Sequence, residues 1–152
     1  MRAAALATLL TLGACTPVPE IPESNRIDVA GFMTRLDEGE RTWLMQDVVS
    51  LFGSPTQRDS TARQHTLEWY GLALTFSGSR ITMLAFTDAR HTSPEGLRVG
   101  FAATHVLQGL GPPLEEEETR YTYVTENDTR IHVYLEEGRV QRVEWRYETT
   151  EE

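Results

Sequence analysis

The sequence predicts an α+β fold of two tandem repeats, each a short helix followed by antiparallel strands. Leu51-Phe52-Gly53-Ser54-Pro55 and Gly109-Leu110-Gly111-Pro112-Pro113 both have the pattern of a helix end, because Gly adopts the left-handed closing conformation and Pro cannot continue the helix. Gly53 and Gly111 lie 58 positions apart, and the alternating strands starting at Leu72 and Ile131 lie 59 apart. We therefore expect one antiparallel sheet of about six to eight strands, with two short helices packed on one face.

Length and composition set the limits of this fold. A chain of 152 residues is long enough for one domain or for two small units that share a core. Its formal net charge of −9 argues against binding nucleic acid and against attraction to anionic lipid headgroups. With Cys15 as the single cysteine, no intramolecular disulfide and no thiolate metal cluster can form.

The N-terminus has the pattern of an export signal. Residues 1–14 contain one positive charge and an apolar run shorter than the roughly 20 residues of a membrane span. Leu12-Gly13-Ala14-Cys15 resembles the bacterial lipobox, in which cleavage before Cys is coupled to acylation of its thiol. The resemblance implies a lipid-anchored envelope protein, and Thr16 resembles the form directed to the outer membrane, facing the periplasm. The alternative is an ordinary N-terminal helix with a free thiol.

A tether, 15–26, contains three prolines and no apolar period, which is typical of an extended segment. The first predicted repeat, 27–90, follows. Its opening stretch, 27–36, fits either a short strand and turn or an amphipathic helix. Apolar residues then recur at helical spacing over about 43–52, with Thr42 as the expected N-cap.

A polar stretch, 56–64, is expected to be a solvent-exposed loop, and three strands are expected after it, over 66–70, 72–76 and 81–86. The second predicted repeat, 91–147, has a helix over about 101–110 and strands over 119–125, 131–135 and 140–147. Residues 148–152 form an acidic tail.

The sequence contains no motif that indicates catalysis or a cofactor. His65, His91, His105 and His132 lie far apart and lack the spacing of metal ligands, so neither a metal nor a cofactor is predicted. No nucleophile elbow and no phosphate-binding Gly loop occurs. The run Glu115-Glu116-Glu117-Glu118 is interpreted as a solvated loop or the start of a strand. We therefore predict a protein that is not an enzyme.

A surface for binding is predicted on the face of the sheet that the helices leave uncovered. Because side chains alternate along a strand, Ile131, Val133 and Leu135 are expected to face the helices. Val140 and Val143 have opposite parity, which a β-bulge between them reconciles. The candidate partner-binding residues on the other face are Arg130, His132, Tyr134, Arg142, Glu144 and Arg146.

Several short motifs recur along the two predicted repeats: Gly39 with Thr42, Asp47-Val48, Leu51-Phe52-Gly53-Ser54-Pro55, Trp69-Tyr70, Gly96-Leu97-Arg98-Val99-Gly100, Val106-Leu107 and Leu110-Gly111-Pro112-Pro113. Together they resemble the small outer-membrane lipoproteins of the BamE (SmpA/OmlA) kind. The resemblance covers roughly 36–147. Tandem helix-plus-sheet units are also found in the secreted β-lactamase-inhibitor proteins. BamE proteins have one such unit rather than two, and the inhibitor proteins carry disulfides that this chain cannot form.

Both resemblances imply action by contact rather than by catalysis. The sequence hypothesis is therefore a non-catalytic, membrane-anchored protein-binding lipoprotein whose partner is an envelope protein, including accessory proteins of outer-membrane assembly. Two alternatives stay open: a protein inhibitor or small-ligand-binding lipoprotein of the β-lactamase-inhibitor kind, and a hydrolase that the sequence does not reveal.

Overall fold

Eight strands form one antiparallel sheet, and three short helices pack against it. A computed structural model describes residues 28–147. The sheet order is β1-β2-β3-β4-β8-β7-β6-β5. In chain order the elements are α1 (Val29–Asp37), α2 (Met45–Phe52), β1 (Gln57–Ser60), β2 (His65–Trp69), β3 (Leu72–Ser77), β4 (Arg80–Phe86), α3 (Ala103–Leu110), β5 (Glu115–Glu117), β6 (Arg120–Val124), β7 (Thr129–Glu136) and β8 (Arg139–Tyr147).

The predicted fold class, two tandem helix-plus-strand repeats with two helices, is wrong. The structure is a single eight-stranded sheet with three helices, in which one core spans all the central strands. The third helix is α1, which lies in the segment that the sequence left open between strand and helix. The predicted signal peptide 1–14, lipidated Cys15, tether 15–26 and acidic tail 148–152 lie outside the described residues.

Helix α1 forms because a cap and an apolar stripe coincide. Asp28 is the N-cap, and its Oδ1 accepts a hydrogen bond of 2.8 Å from the Gly31 amide. The buried residues recur at the i, i+3, i+4, i+7 spacing of one helix face, and they are Val29, Phe32, Met33 and Leu36. Of the two alternatives that the sequence left open for this segment, the amphipathic helix is therefore the one that forms.

Helices α2 and α3 end at the glycines that the sequence predicts, but these glycines combine a positive φ with an extended ψ instead of adopting the left-handed helical conformation. Gly53 has φ 80° and ψ −173°, and Gly111 has φ 77° and ψ −164°, a region that is essentially restricted to glycine. Each glycine carbonyl accepts a hydrogen bond from a strand: the Trp69 indole donates to Gly53 at 2.9 Å, and the Tyr123 hydroxyl donates to Gly111 at 3.1 Å. The helix ends are thus fastened to the sheet.

The predicted N-cap at Thr42 is wrong. Thr42 forms an antiparallel bridge with Arg80, and the Trp43 amide donates to the Ser79 carbonyl at 2.7 Å. Helix α2 begins only at Met45, after Leu44, which makes no side-chain capping bond. Backbone pairing with the start of β4 therefore takes precedence over the local capping preference of threonine.

The two edge strands, β1 and β5, were not clearly predicted. The sequence assigned β1 to a solvent-exposed loop and left β5 open between a loop and the start of a strand. All four residues of β1 and all three residues of β5 are exposed, so neither strand has the apolar alternation that identifies a half-buried strand. Both form because a neighbour offers backbone partners: β1 pairs with β2 from Gln57 to Ser60, and β5 pairs with β6 from Glu115 to Glu117. Polar, short edges are typical of sheets that avoid pairing with other chains.

The helices cover one side of the sheet, here named the helix face; the opposite side is named the open face. Phe52 of α2 packs on Trp69 with ring centroids 5.5 Å apart. Tyr123 bonds to the end of α3, and Thr129 of β7 donates to Asp37 of α1 at 3.3 Å. Since Trp69, Tyr123 and Thr129 all belong to the buried parity of their strands, the three helices share one side.

A small polar cluster lies within the helix face at the end of α1. Burial raises the pKa of Asp37, and the neighbouring carboxylate of Glu95 raises it further, against the opposing effects of Thr129 and Arg41. Burial, together with Asp37 and Glu95, also raises the pKa of the Tyr147 hydroxyl. The cluster holds polar groups in a low-dielectric setting that favours their neutral forms.

Ala in place of either helix-ending glycine is expected to destabilise the fold by about 1–3 kcal/mol, because a Cβ is strained at these backbone angles. No atom lies within 4 Å of the Cβ position at Gly53 or Gly111, so the loss reports backbone strain alone. Gly109 is the matched control: it lies inside α3 with open space around it, and Gly109→Ala is expected to stabilise by about 1 kcal/mol. Urea unfolding followed by tryptophan fluorescence measures all three variants. Equal stabilities would contradict the assigned helix ends.

Candidate functional site on the open face

The structure brings all six predicted partner-binding residues to the open face, side by side on β7 and β8. The register between these strands sets three cross-strand pairs: Arg130 opposite Arg146, His132 opposite Glu144, and Tyr134 opposite Arg142. The register shifts between Tyr134, which pairs with Arg142, and Leu135, which pairs with Val140. The β-bulge therefore lies between Val140 and Val143, where the sequence predicted it. The six side chains thus form one contiguous patch, named here the arginine patch: Arg130, His132, Tyr134, Arg142, Glu144 and Arg146.

Glu144 lies at the centre of the arginine patch and is buried, with 9% of its side chain exposed. Its Oε1 accepts from Arg142 Nε at 2.8 Å, and its Oε2 accepts from Arg146 Nη2 at 2.9 Å and from Arg146 Nε at 3.1 Å. The Tyr134 hydroxyl donates to the same Oε2 at 3.2 Å. One carboxylate therefore orients two guanidinium groups and one phenol.

The electrostatics of this arrangement keep Glu144 ionised. Burial by itself raises the pKa of its carboxyl group, but the hydrogen bonds and charges of Arg146 and Arg142 outweigh burial, so the pKa lies below its ordinary value. The Glu144 hydrogen bonds in turn raise the pKa of Arg146. A carboxylate surrounded by donors is rigid, and its partners are presented in defined orientations.

The surroundings of His132 favour the neutral form of its imidazole. Burial lowers the pKa of its imidazole, and the nearby Arg146 and Arg120 lower it further. Its Nδ1 lies 3.2 Å from Thr122 Oγ1 on β6. The ring lies beside Tyr134, with ring centroids 6.3 Å apart, and contributes a flat aromatic surface to the patch.

A shallow depression of about 440 Å³ adjoins the arginine patch on the β2, β3 and β4 side. It is lined by Gln64, Thr66, Thr75, Thr82 and Met83 and borders Glu144 and Arg146. The Thr66 and Thr75 hydroxyls lie 3.1 Å apart, and the Thr82 hydroxyl donates to the Thr75 carbonyl at 3.3 Å. A bulge between β3 and β4 leaves Thr82 without a cross-strand partner, so both Thr82 and Met83 reach the open face.

Sequence reasoning missed the depression because its residues come from three strands whose neighbours could not be known. Met83 is opposite Arg146 only because β4 pairs with β8, a contact between distant parts of the chain. Gln64 belongs to a stretch that the sequence assigned to a solvent loop. The sequence did contain one indication of the depression. Because Leu72, Leu74 and Phe76 alternate along β3 and face the helices, Thr75 is expected on the open face.

Two observations on the described residues concern metal binding and catalysis. Within 28–147, no group of three or more His, Cys, Asp or Glu residues is arranged to hold a metal ion. Ser60 Oγ lies 2.9 Å from His65 Nδ1 at the exposed β1–β2 edge, which is the separation of a nucleophile and its base. No carboxylate in the described part of the chain hydrogen bonds to this imidazole, so the pair lacks the group that orients the base in a triad.

Comparisons with known proteins bear on the fold. No protein-family model and no curated protein matches the chain. It is similar to one solved structure, a 1.5 Å crystal structure of an extracellular protein containing a SCP domain from Bacillus anthracis str. Ames, with a TM-score of 0.56 and 9% identity. The match covers 90% of this chain and 50% of that one, so this chain spans about half the length of its structural relative. At this identity the likeness shows the fold alone.

Glu144→Gln is expected to destabilise the protein by about 1–3 kcal/mol at neutral pH, because two arginines lose their ionised partner. The folded pKa of Glu144 is lowered, so its contribution is fully present above the ordinary pKa of glutamate and disappears as the pH falls through the lowered folded value. Wild type and variant should therefore converge in acid, as measured by urea unfolding across a pH series. Glu68→Gln, on β2 of the same face, is the control and should change stability by less than about 0.5 kcal/mol. A constant difference between wild type and Glu144→Gln at all pH values would contradict the assigned ion pairs.

Proposed function

We propose that this chain is a non-catalytic protein-binding module of a bacterial envelope, anchored to the outer membrane through an acylated Cys15 and facing the periplasm. The observation that supports the binding role is the arginine patch: a tyrosine and two arginines held by a buried carboxylate on a face that no described helix covers. Tyrosine and arginine are the residue types that dominate the energetics of protein interfaces. The resemblance to BamE favours an outer-membrane assembly complex as the partner.

Preorganisation strengthens this proposal. Binding usually loses free energy when flexible side chains become ordered, by about 0.5–1.5 kcal/mol for each. In the free chain Glu144 already orders Arg142, Arg146 and Tyr134. Much of the free-energy cost of ordering these side chains therefore arises on folding and not on binding. A contact surface benefits from such rigidity, whereas an ordinary solvated sheet face has no need of a buried carboxylate, which is costly to desolvate.

The depression is the observation that favours the second candidate, a small-ligand-binding protein. Its volume of about 440 Å³ lies within the range of about 300–1,000 Å³ for ligand pockets. Such pockets are lined mainly by apolar and aromatic side chains, but this one contains Met83 among three threonines and a glutamine. The lining suits an extension of a protein contact better than it suits an enclosed ligand.

The membrane anchor of this proposal is attributed to the lipid and not to the fold. At eight or nine residues each, none of the helices within 28–147 combines the length and hydropathy of a membrane span. Mass spectrometry of the mature N-terminus is expected to find the chain starting at Cys15 and carrying acyl chains. Cys15→Ser should abolish the acylation. An unmodified Cys15 in a chain that retains 1–14 would refute the anchor.

Photo-cross-linking tests whether the open face contacts an envelope protein. Benzoylphenylalanine in place of Tyr134 is expected to yield an adduct with an envelope protein, whereas the same substitution at Leu51, an exposed residue of α2, should not. Tyr134→Ala and Arg130→Glu are expected to weaken capture of that protein from solubilised envelopes, by about 30-fold for the tyrosine if it is a hot spot of about 2 kcal/mol.

Tyr134→Phe separates the ring from the hydroxyl, because it keeps the packing surface and loses only the hydrogen bonds of the hydroxyl, which join it to Glu144 and Arg146. Thermal unfolding of each variant verifies that the fold is intact. Cross-linking at 51 but not at 134, or capture that none of the substitutions changes, would count against this surface.

A further inference from the structure

The turn between β2 and β3 holds an aromatic residue in a backbone conformation that is unfavourable for it. Trp69 pairs with Leu72 across this turn. Tyr70 and Gly71 therefore form a two-residue turn, and their φ angles are 32° and 83°. A positive φ at the first position of such a turn is best tolerated by Asn, Asp and Gly, and a bulky residue is strained there. The fold thus places the ring of Tyr70 at a loss of backbone stability.

Two other two-residue turns in the described part of the chain also begin with a positive φ. The first position is Gly78 between β3 and β4 and Glu137 between β7 and β8, with φ of 59° and 49°. Glycine adopts such angles without strain, and Glu137 is an exposed, charged residue. Among these three turns, only the one between β2 and β3 has an aromatic side chain at this position.

The segment that follows β4 holds the Tyr70 turn in place. The Thr87 amide donates to the Gly71 carbonyl at 2.9 Å. His91 Nε2 donates to the Tyr70 carbonyl at 3.0 Å. The Asp88 carboxylate packs so closely on Gly71 that a Cβ there would overlap it. Strained backbone persists where the surroundings fix it in this way, and such positions are concentrated at functional sites.

The side chain of Tyr70 is presented at the surface. It is 43% exposed, and the Arg90 guanidinium carbon lies 5.7 Å from its ring centroid. The Asp88 carboxylate fixes Arg90 in turn, because Oδ1 accepts a hydrogen bond of 2.9 Å from the Arg90 amide and Oδ2 lies 3.5 Å from its Nε. Tyrosine and arginine are enriched among the residues that dominate the energetics of protein interfaces. The turn therefore presents an ordered tyrosine–arginine pair.

This pair lies at the same end of the sheet as Tyr134. The sheet register places Leu72 of β3 in one row with Val143 of β8. The Tyr70 turn comes just before Leu72, and Arg142, the cross-strand partner of Tyr134, comes just before Val143. Across β3, β4, β8 and β7, three strand spacings, about 14 Å in all, separate the turn from Tyr134.

The arginine patch is too small to form a stable protein contact by itself. A standard interface buries about 800 Å² on each partner and uses roughly 20–30 residues of each. The footprint of a partner must therefore extend beyond β7 and β8. Towards β5 it would meet the exposed glutamates Glu115–Glu117, a residue type that is depleted in interfaces. Towards β3 and β2 it meets Tyr70 and Arg90, whose residue types are enriched there.

We propose that Tyr70, with Arg90 stacked on its ring, is a second contact for the protein that binds the arginine patch. This inference rests on the proposed function, since it takes the partner to be a protein, and it adds the direction in which the contact surface extends. A folded protein surface can bridge two contact points about 14 Å apart, which a small ligand cannot. The strained conformation of Tyr70 is then retained for binding and not for folding.

Thermal unfolding of Tyr70→Asn tests whether the ring serves the fold. Asn tolerates a positive φ, so this variant is expected to unfold at the same temperature as wild type or at a higher one. Glu137→Asn relieves the equivalent strain in the turn between β7 and β8 and is the matched control, expected to unfold at a higher temperature. If Tyr70→Asn unfolded more than about 3 °C below wild type, the ring would be a structural element and the proposal would be overturned.

Photo-cross-linking in the full chain tests the contact itself. Benzoylphenylalanine in place of Tyr70 is expected to form an adduct with the same envelope protein as benzoylphenylalanine in place of Tyr134. Peptide masses from the two adducts identify the protein. Adducts with two different proteins would refute a common contact surface. An adduct between two copies of this chain would make the occupant a second copy, which also refutes the proposal.

Retention of the cross-linked protein by the variants separates the ring from the backbone of the turn. Tyr70→Asn is expected to weaken retention by about tenfold or more, and Tyr70→Phe by less, because the ring makes most of the contact. Glu137→Asn should not weaken it. Unchanged retention by Tyr70→Asn would show that the ring makes no contact. A loss with Glu137→Asn as large as that with Tyr70→Asn would attribute the effect to relaxed turns and would likewise refute the proposal.

Failure of this inference and failure of the proposed function give different results. An adduct at 134 without one at 70 would refute the second contact and retain the protein-binding open face. An adduct at 70 without one at 134 would retain a contact at the turn and refute the open face as the binding surface. The absence of adducts at both positions would refute both.

Discussion

The pairing of β4 with β8 is the constraint on which the rest of the structure depends. It extends over four residue pairs, Met83 to Phe86 with Val143 to Arg146, and it joins the four strands β1–β4 to the four strands β5–β8. On the helix face the contact is strengthened by Phe86 packing edge to face on Trp145, with ring centroids 4.8 Å apart. On the open face the same register sets Met83 beside Arg146 and so joins the depression to the arginine patch. Core packing and the candidate site are therefore two sides of one strand pair.

Much of the local structure could be predicted because it depends on neighbouring residues. The helix ends at Gly53 and Gly111 follow from the conformational freedom of glycine, and both have positive φ. The alternation of Ile131, Val133 and Leu135 predicted which side of β7 is buried. The six side chains of the arginine patch were predicted from parity alone, because residues two apart on a strand share a side.

What could not be predicted depends on partners far along the chain. Edge strand β5 consists of three glutamates and exists only because β6 supplies its hydrogen bonds. Segment 27–36 had a pattern compatible with strand or helix, and the helix Val29–Asp37 forms there because Asp28 caps it and Met33 and Leu36 are buried. Glu144 was expected on an exposed face, yet it is buried because Arg142 and Arg146, two residues away on either side, lie against it. The alternation of side chains along a strand predicts the face of the sheet on which a residue lies. It does not predict how far neighbouring side chains on that face bury the residue.

The two edges of the sheet have a consequence for how copies of the chain behave when they are crowded together. An open sheet can grow by adding a strand at either end, which is the first step of many aggregation reactions. Here β1 is four residues long with Arg58 and Asp59 at its centre, and β5 is three residues long and entirely glutamate. Two copies that met at β5 would set three carboxylates against three, at the spacing of neighbouring strands. Growth of the sheet is thus opposed at β5 by like charges and at both edges by the shortness of the edge strands.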